Sequence, residues 1–367
     1  MSRAKDMNNP ERRSIGGFAI VTIAVGIAAC AGAPKPAGGA VATPAAAAVA
    51  PASAASAGAA PASTAAAGGP IGWAAVEAMD VKGTTGGGDL PVEEVTDDGQ
   101  LWELARSDQP HVIRIMRSMS GSLDIASNKT IEGAPGVVFT GHVELSGSTN
   151  VILRRLKIVG YNCTDRSPCK KGEDAMTIAD GAHHIWLDHC DISDGSDGNL
   201  DITDAADYIT ISWTKFSYSA PRPSGHRFCN LIGNDDVMAT DAGHLRITFH
   251  HDWWADNVSQ RMPRVRFGQV HVFNSLYSSR GNDYCVGLGT DASILLENNA
   301  FIGVKNPTES NKYASPASVL VARGNIFEET IGTAVDRGTA VFTPPYPYRL
   351  DPATAVQAEV MNGAGAR

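Results

Sequence analysis

Several features that mark other protein classes are scarce in this chain of 367 residues. Aromatic residues make up 7% and charged residues 19%, while glycine occurs 38 times, a mixture that favours short elements and many turns over long helices. Basic residues do not predominate, because 30 Lys and Arg stand against 39 Asp and Glu and give a formal net charge of −9. Bulk charge therefore does not attract nucleic acid, and we expect no nucleic-acid partner.

The chain also lacks an apolar run of comfortable transmembrane length, which is about 20 residues. Its most apolar stretch, 18–29, follows four basic residues and ends at Cys30. This arrangement has the form of a secretory signal, and the sequence Ile-Ala-Ala-Cys at 27–30 resembles the bacterial lipobox. The resemblance implies that residues 1–29 are a lipoprotein-type signal peptide and that Cys30 is lipidated. An ordinary signal peptide that is cleaved nearby is the alternative.

The next segment, 30–69, consists almost entirely of Ala, Pro, Gly, Ser and Thr. Such a segment cannot bury enough apolar surface to offset the loss of chain entropy, so we predict a disordered tether. A lipid anchor and a tether together hold a folded domain away from a membrane. We therefore expect an exported, membrane-anchored lipoprotein at the outer membrane or cell surface, or a secreted protein if no lipid is attached.

A nine-residue pattern repeats in the remaining part, 70–367, which we interpret as one folded domain. Each copy has apolar residues at its second, fourth and ninth positions, and successive copies begin 34, 24, 38, 23 and 24 residues apart. The copies begin at Asn150, His184, Tyr208, Arg246, Gln269 and Ser293. A step of about two dozen residues is typical of a solenoid, and the period-two alternation inside each copy indicates a strand with one buried face. We predict an all-β parallel β-helix rather than a sandwich or a propeller.

Five motifs in this part follow one another in the same order as in the pectate lyase family. They are Trp186-Leu-Asp-His189, the Asp-Gly-x-x-Asp of 197–201, Thr210-Ile-Ser-Trp213, Leu231-Ile-Gly233 and the arginine-rich segment 261–271. The chain resembles that family from about residue 72 to its end. The resemblance implies a right-handed, single-stranded parallel β-helix. It also implies eliminative cleavage of polygalacturonate, the (1→4)-α-D-galacturonan of pectin, into 4,5-unsaturated oligogalacturonides by an enzyme that we expect to be monomeric.

This elimination removes a proton that is alpha to a carboxylate, and the carboxylate resists further negative charge. A hard divalent cation with oxygen ligands can neutralise it and stabilise the developing anion. Asp197 and Asp201 lie four residues apart around Gly198, so a turn onto a strand brings both carboxylates towards one ion. The resemblance adds Asp174 and implies Ca²⁺ as the cofactor. Some relatives carry one more acid where this chain has Gly172, so we expect a site with three carboxylates.

Three arginines follow in the arginine-rich segment. The resemblance assigns abstraction of the substrate proton to Arg261, although an arginine is normally always protonated. The alternative is that Arg261 stabilises the anion while a water accepts the proton. We expect Arg266 to bind a substrate carboxylate with its forked guanidinium. Arg264 has the same strand parity as Arg266, whereas Val265 has the opposite parity, so we expect both arginines to face solvent and the substrate.

One substrate contact departs from the family pattern. Many relatives carry a substrate-binding lysine at the position of Phe228, and the neighbouring Arg227 is our candidate to replace it. A cleft lined by these arginines, together with a bound cation, reconciles an acidic protein with a polyanionic substrate.

Cysteines and histidines raise two further questions. Cys163 and Cys169 flank a loop before Asp174, and an exported protein permits a disulfide between them. Adjacent histidines at 250 and 251 could suggest zinc, but no cysteine pair or third histidine follows at ligand spacing, so we predict none there.

Three other functions compete with the lyase interpretation. Pectin lyases act on methyl-esterified substrate without calcium and tend to lack the acidic residues. A polygalacturonase needs a carboxylic acid and a carboxylate across the scissile bond, which leaves Arg261 without a role. A noncatalytic β-helix adhesin or carbohydrate-binding protein needs neither the acids nor Arg261.

Overall fold

The computed structural model of the chain describes residues 68–161, 173–220, 225–237 and 239–367. The predicted signal peptide, lipidation at Cys30 and most of the tether lie outside these residues, as does the predicted disulfide between Cys163 and Cys169. Those expectations therefore stay predictions. Neither helix in the described ranges is long and apolar enough to cross a membrane.

Short parallel strands make up most of the described chain. The strands in chain order are β1 (Val92–Val95), β2 (His111–Ile115), β3 (Met119–Asp124), β4 (Lys129–Gly133), β5 (Val138–Ser146), β6 (Thr149–Arg154), β7 (Lys157–Val159), β8 (Met176–Ala179), β9 (His183–Asp188), β10 (Asp191–Ser193), β11 (Gly198–Ile202), β12 (Asp207–Ser212), β13 (Lys215–Ser217), β14 (Phe228–Ile232), β15 (Arg246–His250), β16 (Trp253–Trp254), β17 (Arg264–Val265), β18 (Gln269–Phe273), β19 (Leu276–Tyr277), β20 (Val286–Leu288), β21 (Ser293–Glu297), β22 (Ala300–Ile302), β23 (Thr308–Glu309), β24 (Val319–Arg323) and β25 (Ile326–Glu328). The helices are α1 (Asp98–Arg106) and α2 (Ala353–Gly363), and 3₁₀ turns cover Trp73–Ala75 and Ala239–Asp241.

The strands form two sheets. The ten-stranded sheet has the order β1-β2-β4-β6-β9-β12-β15-β18-β21-β24. The second sheet has two arms that meet at the long strand β5. We call β8-β11-β14-β17-β20-β23 the first arm and β7-β10-β13-β16-β19-β22-β25 the second arm, and β3 also pairs with β5. In most coils the chain passes from the ten-stranded sheet to the second arm and then, through a loop, to the first arm.

The strand register agrees with the repeat found in the sequence. The second residue of every copy pairs with the second residue of the next copy, in the line Val151, Ile185, Ile209, Ile247, Val270 and Ile294. All six are fully buried. The strands pair in parallel, as coils of a solenoid do and hairpins do not. The predicted parallel β-helix is therefore confirmed.

The ninth position of the repeat supplies an aromatic stack inside the coils. The ring centroids of Trp254 and Tyr277 are 4.5 Å apart, those of Tyr277 and Phe301 4.2 Å, and those of Phe301 and Phe327 5.2 Å. The ring planes of each pair are nearly parallel. Each such pair contributes about 0.5–1.5 kcal/mol beyond the burial of its surface. The stack supports the alignment of these successive coils.

A second column runs along the turn after the ten-stranded sheet. The residues are Cys190, Thr214, Asp252, Ser275, Asn299 and Asn325. The backbone N–H of each of the first five donates to the side-chain oxygen of the residue one coil further on, at distances between 2.8 and 3.3 Å. The column satisfies backbone groups that the turn removes from the ladder. It is continuous although only its last two members are asparagine.

Two helices cover apolar surface of the β-helix. Helix α1 buries Leu101 and Ala105 at one end, and the Asp97 carboxylate caps it by accepting a hydrogen bond from the Gln100 N–H at 2.9 Å. Helix α2 buries Val356 and Val360 against residues of β19 and β22.

The C-terminal segment before α2 lies on the ten-stranded sheet and joins a buried hydrogen-bond chain. The Trp73 backbone N–H donates to Thr248 Oγ1 at 3.1 Å, and Thr248 Oγ1 lies 2.8 Å from the Tyr346 hydroxyl. That hydroxyl lies 2.9 Å from Nδ1 of His271, whose Nε2 lies 3.1 Å from Glu297. Three strands, the start of the domain and its tail are thereby tied together.

Candidate active site

Four successive coils bring the predicted site residues to one edge of the first arm, where loops from the second arm enter its strands. Asp174 precedes β8, and Asp197 and Asp201 precede and lie in β11. Residues 226–228 lead into β14, and residues 261–264 lead into β17. Because these four strands are neighbours in the sheet, residues almost 90 positions apart in sequence become neighbours in space.

The acids Asp174 and Asp201 converge on the backbone of Gly198. A Cβ atom at Gly198 would lie 2.6 Å from Oδ1 of Asp174 and 3.5 Å from Oδ1 of Asp201. Burial and the charge of Asp197 raise the pKa of Asp174 to about 6, and burial and the charge of Asp174 raise the pKa of Asp201 well above its usual value. Both side chains are surrounded by protein and keep only partial access to solvent. A site that holds two such acids together is suited to a cation.

Asp197 lies at the rim of this pair. Its side chain is 50% exposed, and its Oδ1 lies 3.2 Å from Nδ1 of His226. The oxygens of Asp174, Asp197 and Asp201 do not all lie within 4.8 Å of one another. The structure thus brings the three predicted ligands to one edge of the first arm, with Asp174 and Asp201 converging on Gly198 and Asp197 at the rim.

Arg261 faces the acid pair from the coil two steps further on. Its positive charge lowers the pKa values of both Asp174 and Asp201, against the larger effect of burial. The guanidinium lies over the ring of Phe228, with Cζ 4.3 Å from the ring centroid. Its Nε is buried and has no hydrogen-bond partner in the structure. A guanidinium held by a ring rather than by a carboxylate keeps its donors available for a ligand.

Arg264 lies in register with Leu231 on one side and Gly287 on the other. The glycine leaves room for it, because a Cβ there would lie 3.2 Å from Cγ of Arg264. The guanidinium Cζ is 3.9 Å from the ring centroid of Tyr313, and its Nε is buried without a partner. Burial, followed by the charge of Arg266, lowers the pKa of Arg264. These features leave Arg264 suited to an anion.

Arg266 corrects part of the sequence interpretation. We expected it to face solvent, but it is 8% exposed. Its Nε donates to Asp236 at 2.7 Å, and its Nη1 donates to the carbonyls of Gly233 and Asn234 at 2.8 and 3.0 Å. Strand parity gave the side of the sheet on which Arg266 lies. It could not reveal that the loop after β14 folds over this side chain. Arg266 holds that loop in place, and its contact with substrate stays a prediction.

Arg227 is half-buried in the loop that enters β14. Its Nη1 donates to the carbonyl of Asn257 at 2.8 Å, and its own carbonyl accepts hydrogen bonds from the N–H and hydroxyl of Ser259. The residue therefore joins two neighbouring loops of the candidate site. Its role as the replacement for a substrate-binding lysine stays a prediction.

Sequence reasoning missed several residues of the site. Nδ1 of His142, on β5, lies 2.8 Å from the carbonyl oxygen of Asp174, and the charge of His142 lowers the pKa of that acid. His226 contacts both Asp197 and the ring of Phe228, at 4.7 Å between ring centroids. Tyr313 comes from a loop that no motif marked. Extending the repeat one coil towards the N-terminus would have placed His142 beside the residues before β8.

Known proteins give a consistent family relationship. A family model described as pectate lyase matches residues 43–367. Pectate trisaccharide-lyase from a Thermotoga species is 33% identical over 217 residues, which is 57% of this chain and 57% of that protein. Probable pectate lyase B from Aspergillus flavus is 36% identical over 234 residues, which is 60% of this chain and 65% of the relative. This chain thus spans less than two thirds of the length of these curated relatives.

The fold is also shared with solved structures. The crystal structure of a pectate lyase from a Bacillus species, in complex with trigalacturonate, superposes with a TM-score of 0.68 at 26% identity. The superposition covers 81% of this chain and 98% of that one. The family model, the relatives and the stacked coils agree, and the chain belongs to the pectate lyase family.

Proposed function

We propose that this protein is a pectate lyase that cleaves polygalacturonate by Ca²⁺-assisted β-elimination. The observation that carries the proposal is Arg261, whose charge acts on the half-buried acids Asp174 and Asp201 and whose guanidinium packs on the ring of Phe228. No carboxylate in the described part of the chain forms a salt bridge with it. The names of the relatives, and the trigalacturonate bound to the Bacillus enzyme, support a galacturonate polymer as the substrate.

The residues present fit a calcium ion. Asp174, Asp201 and Asp197 would hold it, because carboxylate oxygens are the ligands that this hard cation prefers. The absence of a side chain at Gly198 leaves space between the two converging carboxylates. When bound, the ion would neutralise the substrate carboxylate and so acidify the proton at C5.

The chain's own residues account for the other requirements. The ring of Phe228 packs against the face of the Arg261 guanidinium. This contact orients the guanidinium without engaging its N–H groups. Arg261 then either accepts the C5 proton or stabilises the resulting anion while a water accepts it. Arg264, which is stacked on Tyr313, would bind a further carboxylate of the polymer.

Hydrolysis by a carboxylate pair fits the geometry less well. Glycosidases that use two carboxyl groups hold them about 5–9.5 Å apart, so that substrate and water can lie between them. Asp174 and Asp201 instead converge on Gly198, whose missing side chain leaves room for one small ion, and hydrolysis would give Arg261 no role. Pectin lyase activity is the second alternative, and it predicts turnover of methyl-esterified substrate without calcium.

One assay separates these functions. The purified protein is incubated with polygalacturonate, with a chelator and after Ca²⁺ is restored, while ultraviolet absorbance of the unsaturated product and new reducing ends are followed. We expect absorbance that disappears with the chelator and returns with Ca²⁺. Absorbance that is indifferent to chelation would refute the calcium mechanism, and reducing ends without absorbance would mean hydrolysis. Methyl-esterified pectin in a parallel sample tests the pectin lyase alternative.

A further inference from the structure

A second group of potential metal ligands lies on another corner of the coils, between the ten-stranded sheet and the second arm. It comprises His251, Asp351 and Glu359, whose ligand atoms all lie within 4.8 Å of one another. It is the one group of this kind in the described residues. We propose that these three side chains form a transition-metal site, best suited to Zn²⁺, which fastens the C-terminal segment to the β-helix. The proposal does not depend on the lyase activity.

His251 is fixed in the orientation that a metal ligand needs. Its ring is stacked on Trp213, with centroids 4.3 Å apart, and the edge of Phe273 packs on it at 6.2 Å. Its Nδ1 lies 3.0 Å from Nδ1 of the buried His250. When the N–H of His251 Nδ1 donates to His250, Nε2 presents a lone pair to the carboxylates. A second nitrogen held by a hydrogen bond is typical of histidine ligands.

Both the backbone N–H and the backbone carbonyl of Asp351 are hydrogen bonded. Its N–H donates to Oδ1 of Asn274 at 3.0 Å, and its carbonyl accepts hydrogen bonds from Asn274 and Asn298, each at 2.9 Å. The carboxylate Oδ2 then lies 3.0 Å from Nε2 of His251. Two ligands that each lie about 2.0–2.1 Å from a tetrahedral zinc ion are about 3.3 Å from each other. The distance between these two ligand atoms is close to that value, so the two residues need little rearrangement.

Glu359 completes the group from helix α2. The helix is anchored by the buried Val356 and Val360, so the backbone next to Glu359 is fixed while its side chain is exposed. The residue therefore contributes a ligand without contributing to the core. This makes it the member that can be replaced with least risk to folding.

The ligand set indicates which metal would bind. One imidazole nitrogen and two carboxylate oxygens suit Zn²⁺, Co²⁺ and related ions, whereas Ca²⁺ prefers oxygen ligands alone. The sequence predicted no zinc at His251 because its proposed partner Asp351 lies 100 residues away, and the proposal revises that prediction. The same atoms can make an ordinary hydrogen bond from His251 Nε2–H to Asp351, so the experiment must distinguish a metal from a proton.

The test uses the full chain with saturating Ca²⁺ and titrates Zn²⁺ by calorimetry, with thermal melting at each concentration. We expect one Zn²⁺ per chain and a melting temperature that rises with zinc. Glu359→Gln should weaken zinc binding by about tenfold or more while leaving the zinc-free melting temperature unchanged. Glu103→Gln, an exposed glutamate on the other helix, is the matched control, and Glu359→His should retain zinc binding.

Cobalt gives an independent spectroscopic signature. Co²⁺ bound at this site should show visible absorption bands of low coordination number that Glu359→Gln lacks and Glu103→Gln keeps. Absence of zinc binding, or equal binding by the parent and Glu359→Gln, would overturn the proposal and leave an Asp–His hydrogen bond as the tie.

Discussion

Two regions of this molecule bury carboxylates in opposite ways. On the ten-stranded sheet, the Glu132 side chain is 3% exposed and accepts hydrogen bonds from Arg114 and Arg154, each at 2.7 Å. Burial alone would raise the pKa of Glu132, but these arginines lower it below its usual value. Along the first arm, Asp174 and Asp201 converge on Gly198. Burial and the charge of Asp197 raise the pKa of Asp174, and burial and the charge of Asp174 raise the pKa of Asp201.

Glu297 makes the contrast clearer, because it too is buried on the ten-stranded sheet. Its carboxylate accepts hydrogen bonds from Tyr348 at 2.7 Å and His271 at 3.1 Å. Burial alone would raise the pKa of Glu297, but these bonds lower it below its usual value. A buried acid that is held by several donors stabilises the fold, whereas two half-buried acids that converge on one glycine are kept at an energetic cost. The difference distinguishes Asp174 and Asp201 from Glu132 and Glu297.

The largest expected effect is on the functional side of this comparison. Arg261→Ala should reduce kcat/KM for polygalacturonate about 10²–10⁴-fold, because the group that takes up or stabilises the substrate proton is lost. Its melting temperature should stay close to that of the parent, since Arg261 makes no salt bridge within the described residues. Steady-state absorbance assays and thermal melting measure the two quantities.

The matched control for that variant is Arg280→Ala. Arg280 is 68% exposed and pairs with Glu329 at 2.6 Å on the surface, so its loss should change neither quantity appreciably. If Arg261→Ala retained substantial turnover, the role assigned to Arg261 would be wrong. A large drop in melting temperature would instead mean that its stacking on Phe228 is structural.

The apolar periodicity of the sequence explains which parts of this contrast could be predicted. Apolar alternation gave the strand register correctly from Val151 to Ile294, because buried faces repeat with each coil. The order of the motifs also brought Asp174, Asp201 and Arg261 to one edge. Periodicity does not encode how a loop folds back, so the cover that Asp236 forms over Arg266 was missed.

Contacts across long sequence distances were missed for a related reason. Phe228 was noted only as the absence of a lysine, and its ring under Arg261 could be seen only once two coils were stacked. The ladder through Thr214, Asp252 and Ser275 is continuous because hydroxyl and carboxyl oxygens accept the backbone hydrogen bonds as asparagine does. Geometry, rather than residue identity, decides whether such a ladder is continuous.

The next effect tests the structural side of the comparison. Glu297→Gln should lower the free energy of unfolding by about 2–4 kcal/mol at pH 7, because charged hydrogen bonds from His271 and Tyr348 are weakened in a buried site. The folded-state pKa of Glu297 is depressed, so its contribution exists above the unfolded pKa and is lost as pH falls through the folded value. Chemical denaturation at pH 7 and at about pH 3 should show the gap between parent and variant narrowing in acid.

Glu329→Gln provides the control, since that carboxylate is 68% exposed and its ion pair with Arg280 should contribute less than about 1 kcal/mol. Activity of Glu297→Gln, measured where the variant is folded, should remain close to that of the parent. Equal stability of the parent and Glu297→Gln would show that the hydrogen bonds from His271 and Tyr348 do not offset the burial of the charge.

The smallest effect has the opposite sign. In chelator at pH 7, Asp201→Asn should raise the free energy of unfolding by about 1 kcal/mol, because one of two mutually repelling acids is removed and the amide can donate to Asp174. Saturating Ca²⁺ should reverse the order, since the parent gains about 2.7 kcal/mol when calcium is 100 times its dissociation constant and the variant gains little. Denaturation curves with and without Ca²⁺ measure both differences. If Asp201→Asn were the less stable protein under both conditions, the acid pair would belong with Glu132 and Glu297 as part of the scaffold, and the distinction between the two regions would fail.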